Sequence, residues 1–89
     1  MTRRAERNVR AIGDYIAIDS PSRAANFVDR LIDQIDSLRR LPLRCPVARE
    51  GTRRGRQLRQ LLVPPYRVIF AVVDQEVVIY HIRHAARSP

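Results

Sequence analysis

Nine arginines and one carboxylate, Glu50, lie between Arg39 and Arg67 of a chain of 89 residues that contains no lysine. A guanidinium stays charged at any working pH and presents paired N–H donors that match a carboxylate or a phosphate. This segment alone carries +8, which is the net charge of the whole chain. Before it, six Arg cancel six Asp and Glu; after it, Arg83 and Arg87 cancel Asp74 and Glu76. The chemistry on offer is capture of an acidic partner, either nucleic acid or an acidic protein segment, helped by long-range steering. Arg53, Arg54, Arg56 and Arg59 stand where the charge is densest.

Other reactive side chains are few. Gly51-Thr52-Arg53-Arg54-Gly55-Arg56 has the look of a phosphate-cradling loop but lacks the Gly-x4-Gly-Lys-Ser/Thr spacing and a preceding strand. The single Cys45 excludes an internal disulfide and a cysteine-based metal cluster, and suits a reducing cytoplasm. His81 falls inside a strand pattern, where a packed and satisfied histidine is the expected state. His84, at the end of that pattern beside Arg83 and Arg87, could act as acid or base near neutral pH. Two histidines and one cysteine in these places do not make a zinc site, and no metal or cofactor is expected. Asp29, Asp33 and Asp36 read as a solvated helix face, with Arg30 in reach of Asp33. Tyr15, Tyr66 and Tyr80 fall in separate apolar patterns and form no platform for stacking bases.

A small scaffold must hold these groups. The stretch from Tyr66 to Arg87 reads as a β-hairpin, its apolar run Val68 to Val73 interrupted by Asp74-Gln75 and resumed at Val77. A two-residue turn sets Val73 opposite Glu76, Phe70 opposite Ile79 and Arg67 opposite Ile82. Val68, Phe70, Val72, Val77 and Ile79 then share one face, and Ile69, Ala71, Val78, Tyr80 and Ile82 the other. Both faces are apolar, as in strands covered on both sides.

Upstream, Thr2 is placed to cap a helix running to about Ile18, with Ala5, Val9, Ile12 and Ile16 as its apolar stripe. Gly13 allows a close approach by a neighbouring element. Pro21 fits the first position of a second helix reaching about Arg40, with Ala24, Val28, Leu31, Ile35 and Leu38 on one side, widened by Phe27 and Ile32. The short link between the two makes them antiparallel. Residues 42–56 read as a long surface loop, and Gln57 to Val63 as a first strand closed by Pro64-Pro65. The expected fold is α+β: one domain over residues 1–89, an antiparallel helical hairpin packed on a three-stranded antiparallel meander. At this size only roughly 60% of the unfolded surface is buried, so a partner contributes to stability. No apolar run approaches the ~18 residues of a membrane span, and the Arg-rich start lacks a signal peptide's apolar core, so a cytoplasmic protein is expected.

Tyr66-Arg67-Val68-Ile69-Phe70, the short acidic turn, Val77-x-Ile79 and Ile82-Arg83-His84-Ala85-Ala86-Arg87 together resemble the end of the ParE/RelE superfamily of small bacterial toxins. Arg4-Ala5-Glu6-Arg7, Ile12-Gly13-Asp14-Tyr15-Ile16-Ala17 and Ser20-Pro21 resemble that family's first helix and its exit. The order and spacing of the two blocks span most of the chain, and the His-x-x-Arg ending is closer to the ParE branch. Members of this superfamily carry a strand before the first helix; here only Met1 and Thr2 precede it, which implies a missing or truncated strand and an exposed sheet edge.

The resemblance implies a toxin of a type II toxin–antitoxin pair that poisons DNA gyrase by binding it, without being an enzyme. It also implies a cognate acidic, ParD-like antitoxin and a toxin–antitoxin hetero-oligomer. Target- or antitoxin-binding residues are then expected among Arg53, Arg54, Arg56, Arg59, Arg67, Tyr80, Arg83, His84 and Arg87. The RelE branch implies an alternative, a ribosome-dependent mRNA endoribonuclease. In it Arg67 would meet the scissile phosphate, His84 would serve as acid or base, and Arg87 would supply a second cation. That branch's C-terminal tyrosine is absent, because the chain ends Ser88-Pro89. Arg67 could equally pair with Glu76 or with a loop carboxylate. A third reading is a truncated, inactive member kept as a binding module.

Overall fold

Thr2 opens the first helix as its hydroxyl chemistry allows, accepting from the Ala5 N–H at 3.1 Å. In the computed structural model, which describes residues 1–86, helix α1 spans Arg3–Ala17 and helix α2 spans Pro21–Asp36. Ser20 caps α2 by accepting from the Arg23 N–H, and Pro21 occupies its first turn. The second helix stops short of the expected Arg40: at Ser37 it tightens into a 3-10 turn, Ser37–Arg39, that buries Leu38. The two helices lie close at Gly13, where an added Cβ would sit 3.3 Å from Val28 Cγ2. A methyl there would need the Val28 side chain to give by a few tenths of an ångström.

The sheet has four strands, not three: β1 Val47–Arg53, β2 Arg56–Val63, β3 Tyr66–Val73 and β4 Glu76–His84, in that spatial order and all antiparallel. Each link is two residues long, Arg54-Gly55, Pro64-Pro65 and Asp74-Gln75. Arg54 and Gly55 both have positive φ, as do Asp74 and Gln75, which is the twist that two-residue hairpin turns need. The expected loop over residues 42–56 is therefore largely a strand and its turn. Its residues carry little β propensity of their own; pairing with β2 imposes the extended state.

The β3–β4 ladder follows the expected register from Val73↔Glu76 to Phe70↔Ile79 and then shifts. Ile69 pairs with His81, Val68 with Ile82 and Arg67 with Arg83, so Tyr80 is an extra residue, a β-bulge. The expected partner of Arg67, Ile82, moves across the sheet as a result. It joins Val68, Phe70, Ile79 and Val63 beneath the helices, packed with Ile12, Phe27, Leu31 and Ile35. The other face is closed without a second layer. Ala48, Leu58, Ile69 and Ala71 form a small buried cluster there, flanked by Val73 and Tyr80.

β4 is an edge strand, and α1 runs beside it. The Thr2 N–H donates to the Ile79 carbonyl at 3.0 Å, and the Thr2 hydroxyl donates to the Tyr80 carbonyl at 2.8 Å. Asn8 Oδ1 accepts from the Ile82 N–H at 2.9 Å. The edge expected to stand open is thus partly occupied by the chain's own side chains and first residues. Thr2→Ala, which removes both the cap and the tie to Tyr80, is expected to cost about 1–2 kcal/mol in urea unfolding. Thr2→Ser should recover most of it, and an unchanged midpoint in Thr2→Ala would show that the tie contributes nothing.

Candidate functional site

The bulge decides which charged groups meet. With Arg67 and Arg83 paired across β3 and β4, both side chains fall on the helix-free face, opposite Glu50 of β1. Arg67 is only 4% exposed. Its Nη1 and Nη2 donate to the two carboxylate oxygens of Glu50 at 3.0 and 2.6 Å, and its Nε donates to Gln60 Oε1 at 2.9 Å. Arg83 approaches the same carboxylate at 3.7 Å. The Arg67 hydrogen bonds, aided by the charges of Arg67 and Arg83, hold the Glu50 carboxyl down at about 2. Each of the three guanidinium nitrogens of Arg67 makes a hydrogen bond within the fold. Of the sequence-based alternatives for this residue, its partner is a carboxylate, on a strand where a loop was expected.

Beside this cluster lies His81, 8% exposed and opposite Ile69. The sequence reading made it a packed and satisfied histidine. It is packed, but neither Nδ1 nor Nε2 has a hydrogen-bond partner. Burial pushes its basicity below the usual histidine range, and the positive charges of Arg4 and Arg83 push it further. Next to it, the Arg53 guanidinium sits 4.6 Å above the Tyr80 ring.

The remaining expected residues are scattered. Arg54 lies in the β1–β2 turn and Arg56 begins β2, both exposed, so they form the tip of a basic hairpin. Arg59 points to the helix side, where it donates to the Cys45 carbonyl at 2.7 Å. Cys45 itself is buried, which raises the pKa of its thiol. Arg30 does not meet Asp33; it lies 5.0 Å over the Phe27 ring. Arg87 lies outside the described residues.

His84 pairs with Tyr66 across the ladder, one residue along from the Arg67–Arg83 pair, and so faces the opposite way. Its ring meets Tyr66 edge-on at 5.4 Å, and Tyr66 in turn meets Phe27 of α2 at 5.6 Å. These rings line a cleft of about 650 Å³ between the helices and the ends of β3 and β4, with Asn8, Tyr15 and Ile16 on its α1 wall. Tyr15 is 63% exposed. The candidate set thus divides into two sites: a cationic face carrying Arg53, Arg67, Tyr80 and Arg83, and an aromatic cleft carrying His84. Sequence reasoning missed Glu50, Gln60 and the cleft. The Arg54-Gly55 pair was the one available signal that β1 and β2 form a hairpin.

The whole chain, residues 1–89, matches the family model described as the ParE toxin of the type II toxin–antitoxin system parDE. Toxin RelE2 of Caulobacter vibrioides is 42% identical over 86 residues, covering 97% of this chain and 92% of that protein. A solved structure described as the chromosomal ParDE TA system from P. aeruginosa superposes with a TM-score of 0.74 at 26% identity, covering 93% of this chain and 89% of that one. No helix among the described residues is long and apolar enough to cross a membrane.

Proposed function

The chain belongs to the ParE toxin family of type II toxin–antitoxin systems, and on that premise we propose that it arrests growth by binding DNA gyrase rather than by cutting RNA. The observation that carries this reading is the separation of Arg67 from His84. A ribose-cleaving site needs a cation on the phosphorane and an acid or base on the same reacting group. Here the arginine is held by Glu50 and Gln60 on one face of the sheet, and the histidine meets Tyr66 edge-on on the other. Bringing them to one phosphate would require breaking a bidentate ion pair and turning a strand over. A binder needs no such convergence, because interface energy rests on a few aromatic and arginine anchors.

The aromatic cleft is the docking place we assign to the antitoxin. It is concave, apolar at its base and walled by an exposed tyrosine, as a helix-in-groove contact requires. The basic hairpin tip, Arg53, Arg54 and Arg56, supplies steering for an acidic antitoxin. The nuclease reading draws support from the name of the Caulobacter relative, so the test must separate the two.

Expression of the chain alone is expected to stop growth with relaxed or cleaved plasmid DNA and intact mRNA, read by gel electrophoresis and by mapping RNA ends. Specific mRNA cuts, lost in His84→Ala while the protein stays folded, would overturn the gyrase reading. Normal growth with folded protein at high level would leave an inactive binding module.

A further inference from the structure

A histidine buried with both ring nitrogens unpartnered is rare and costly in a folded domain. The apolar alternative was open: His81 borders Ile69 and Tyr80 beside the small apolar cluster, and a leucine or phenylalanine would remove the cost. The charges that act on it come from three elements: Arg4 from α1, Arg53 and Glu50 from β1, and Arg83 from β4 itself. The one acceptor among them, Glu50, is taken by Arg67. Among the described residues no second carboxylate acts on this corner. We propose that His81, with Arg4, Arg53 and Arg83 around it, is the receiving point for a carboxylate side chain of an acidic protein partner, and that engagement protonates the imidazole.

The step balances simply. The imidazole takes one proton from buffer, and the resulting N–H donates to the incoming carboxylate, while the neighbouring guanidinium groups share its charge. Arg4 and Arg53 are exposed, long side chains that reorient within nanoseconds, so both can turn toward an incoming carboxylate. The burial of both ring nitrogens favours a protein over a nucleic acid. The ring nitrogens lie below the surface, where a carboxylate on a short stem can reach and a phosphodiester flanked by two sugars cannot.

The pH dependence follows with a definite sign. In the free protein His81 titrates below the usual 6.5. In the complex the adjacent carboxylate raises that value. Affinity therefore strengthens as pH falls through the bound-state value and levels off once the free histidine is itself protonated. The proposal rests on the chain having an acidic protein partner, and is independent of whether gyrase or mRNA is the cellular target.

The test uses the full chain, an acetylated and amidated glutamate–alanine peptide, its glutamine counterpart and a single-stranded oligonucleotide. The His81 ring is followed by NMR, and proton uptake by calorimetry in buffers of different ionisation enthalpy. The glutamate peptide is expected to shift the His81 ring resonances toward the imidazolium and to bind with net proton uptake. His81→Phe should melt higher than the parent yet bind the peptide about tenfold more weakly, a charge-assisted hydrogen bond's worth. Arg53→Gln should weaken binding without moving the melting temperature. Opposite signs for stability and binding in His81→Phe are not what a merely structural histidine gives. Equal shifts with the glutamine peptide, a ring that responds only to the oligonucleotide, or binding without proton uptake would each overturn the proposal. Since none of these readouts uses growth arrest, their failure leaves the gyrase reading standing.

Discussion

Glu50→Ala is expected to lower the melting temperature by about 15 °C, the largest single loss of stability available outside the hydrophobic core. Glu50 neutralises a guanidinium that is 4% exposed and takes two of its three hydrogen bonds within the fold. Removing one member of a buried pair leaves the other charged and unpaired, at a cost of about 3 kcal/mol. For a domain of this size each kcal/mol moves the midpoint by about 4–8 °C. Arg67→Ala should be comparable, and the two effects should not add. The double variant Glu50→Leu/Arg67→Met should regain most of the loss, because two apolar side chains of similar volume replace the pair. The sign with pH is also fixed. With its folded value held at about 2, Glu50 contributes fully above its ordinary 4.5 and loses that contribution as pH falls toward 2. Parent and Glu50→Ala should therefore converge in acid. A Glu50→Ala protein that melts with its parent at pH 7 would mean that the pair contributes nothing net.

The second large effect is on the partner rather than the fold. Tyr15→Glu is expected to weaken antitoxin binding by a factor of about a hundred or more, within the range of an aromatic anchor in a groove. Tyr15 is 63% exposed and lines the cleft with Phe27 and Tyr66, so the free protein should keep its melting temperature. A glutamate there also faces the carboxylates of an acidic antitoxin. Titration calorimetry gives the affinity, and failure of the co-expressed antitoxin to restore growth gives the cellular counterpart. An affinity unmoved by Tyr15→Glu would place the antitoxin elsewhere, most directly on the cationic face.

Much of the frame could be read from local chemistry. Thr2, Ser20 and Pro21 mark helix starts by satisfying or lacking backbone donors, and the helix caps form as those residues demand. Val68 to Val73 and Val77 to Ile79 are strands by composition alone. β1 could not be read this way. Val47–Arg53 contains two arginines, a glutamate, a glycine and a threonine, and only Ala48 of its seven residues is buried. Its extension is a tertiary effect, exerted by β2, and Glu50 was hidden with it. That is why Arg67 was left between a phosphate and an unnamed carboxylate. The bulge was equally invisible, since no glycine or proline announces it. Its consequence for the site was large, because it alone puts Arg83 beside Arg67 and Ile82 in the core. His81 was misjudged for a different reason: sequence can indicate burial, but whether a buried ring finds a partner depends on the neighbours that folding delivers.

The bulge at Tyr80 also governs how this strand can change length. In a ladder without a bulge, losing one codon would invert inside and outside for all that follows. At Tyr80 the loss would merely straighten the ladder, since Ile79, His81 and Ile82 already alternate correctly without it. The strand therefore holds one position that is expendable to its parity. What that position supplies instead is an outward carbonyl for Thr2 and a ring for Arg53. Tyr80 is in this sense an addition to the hairpin rather than a part of it, joining the amino terminus and the basic hairpin to a ladder that would close without either.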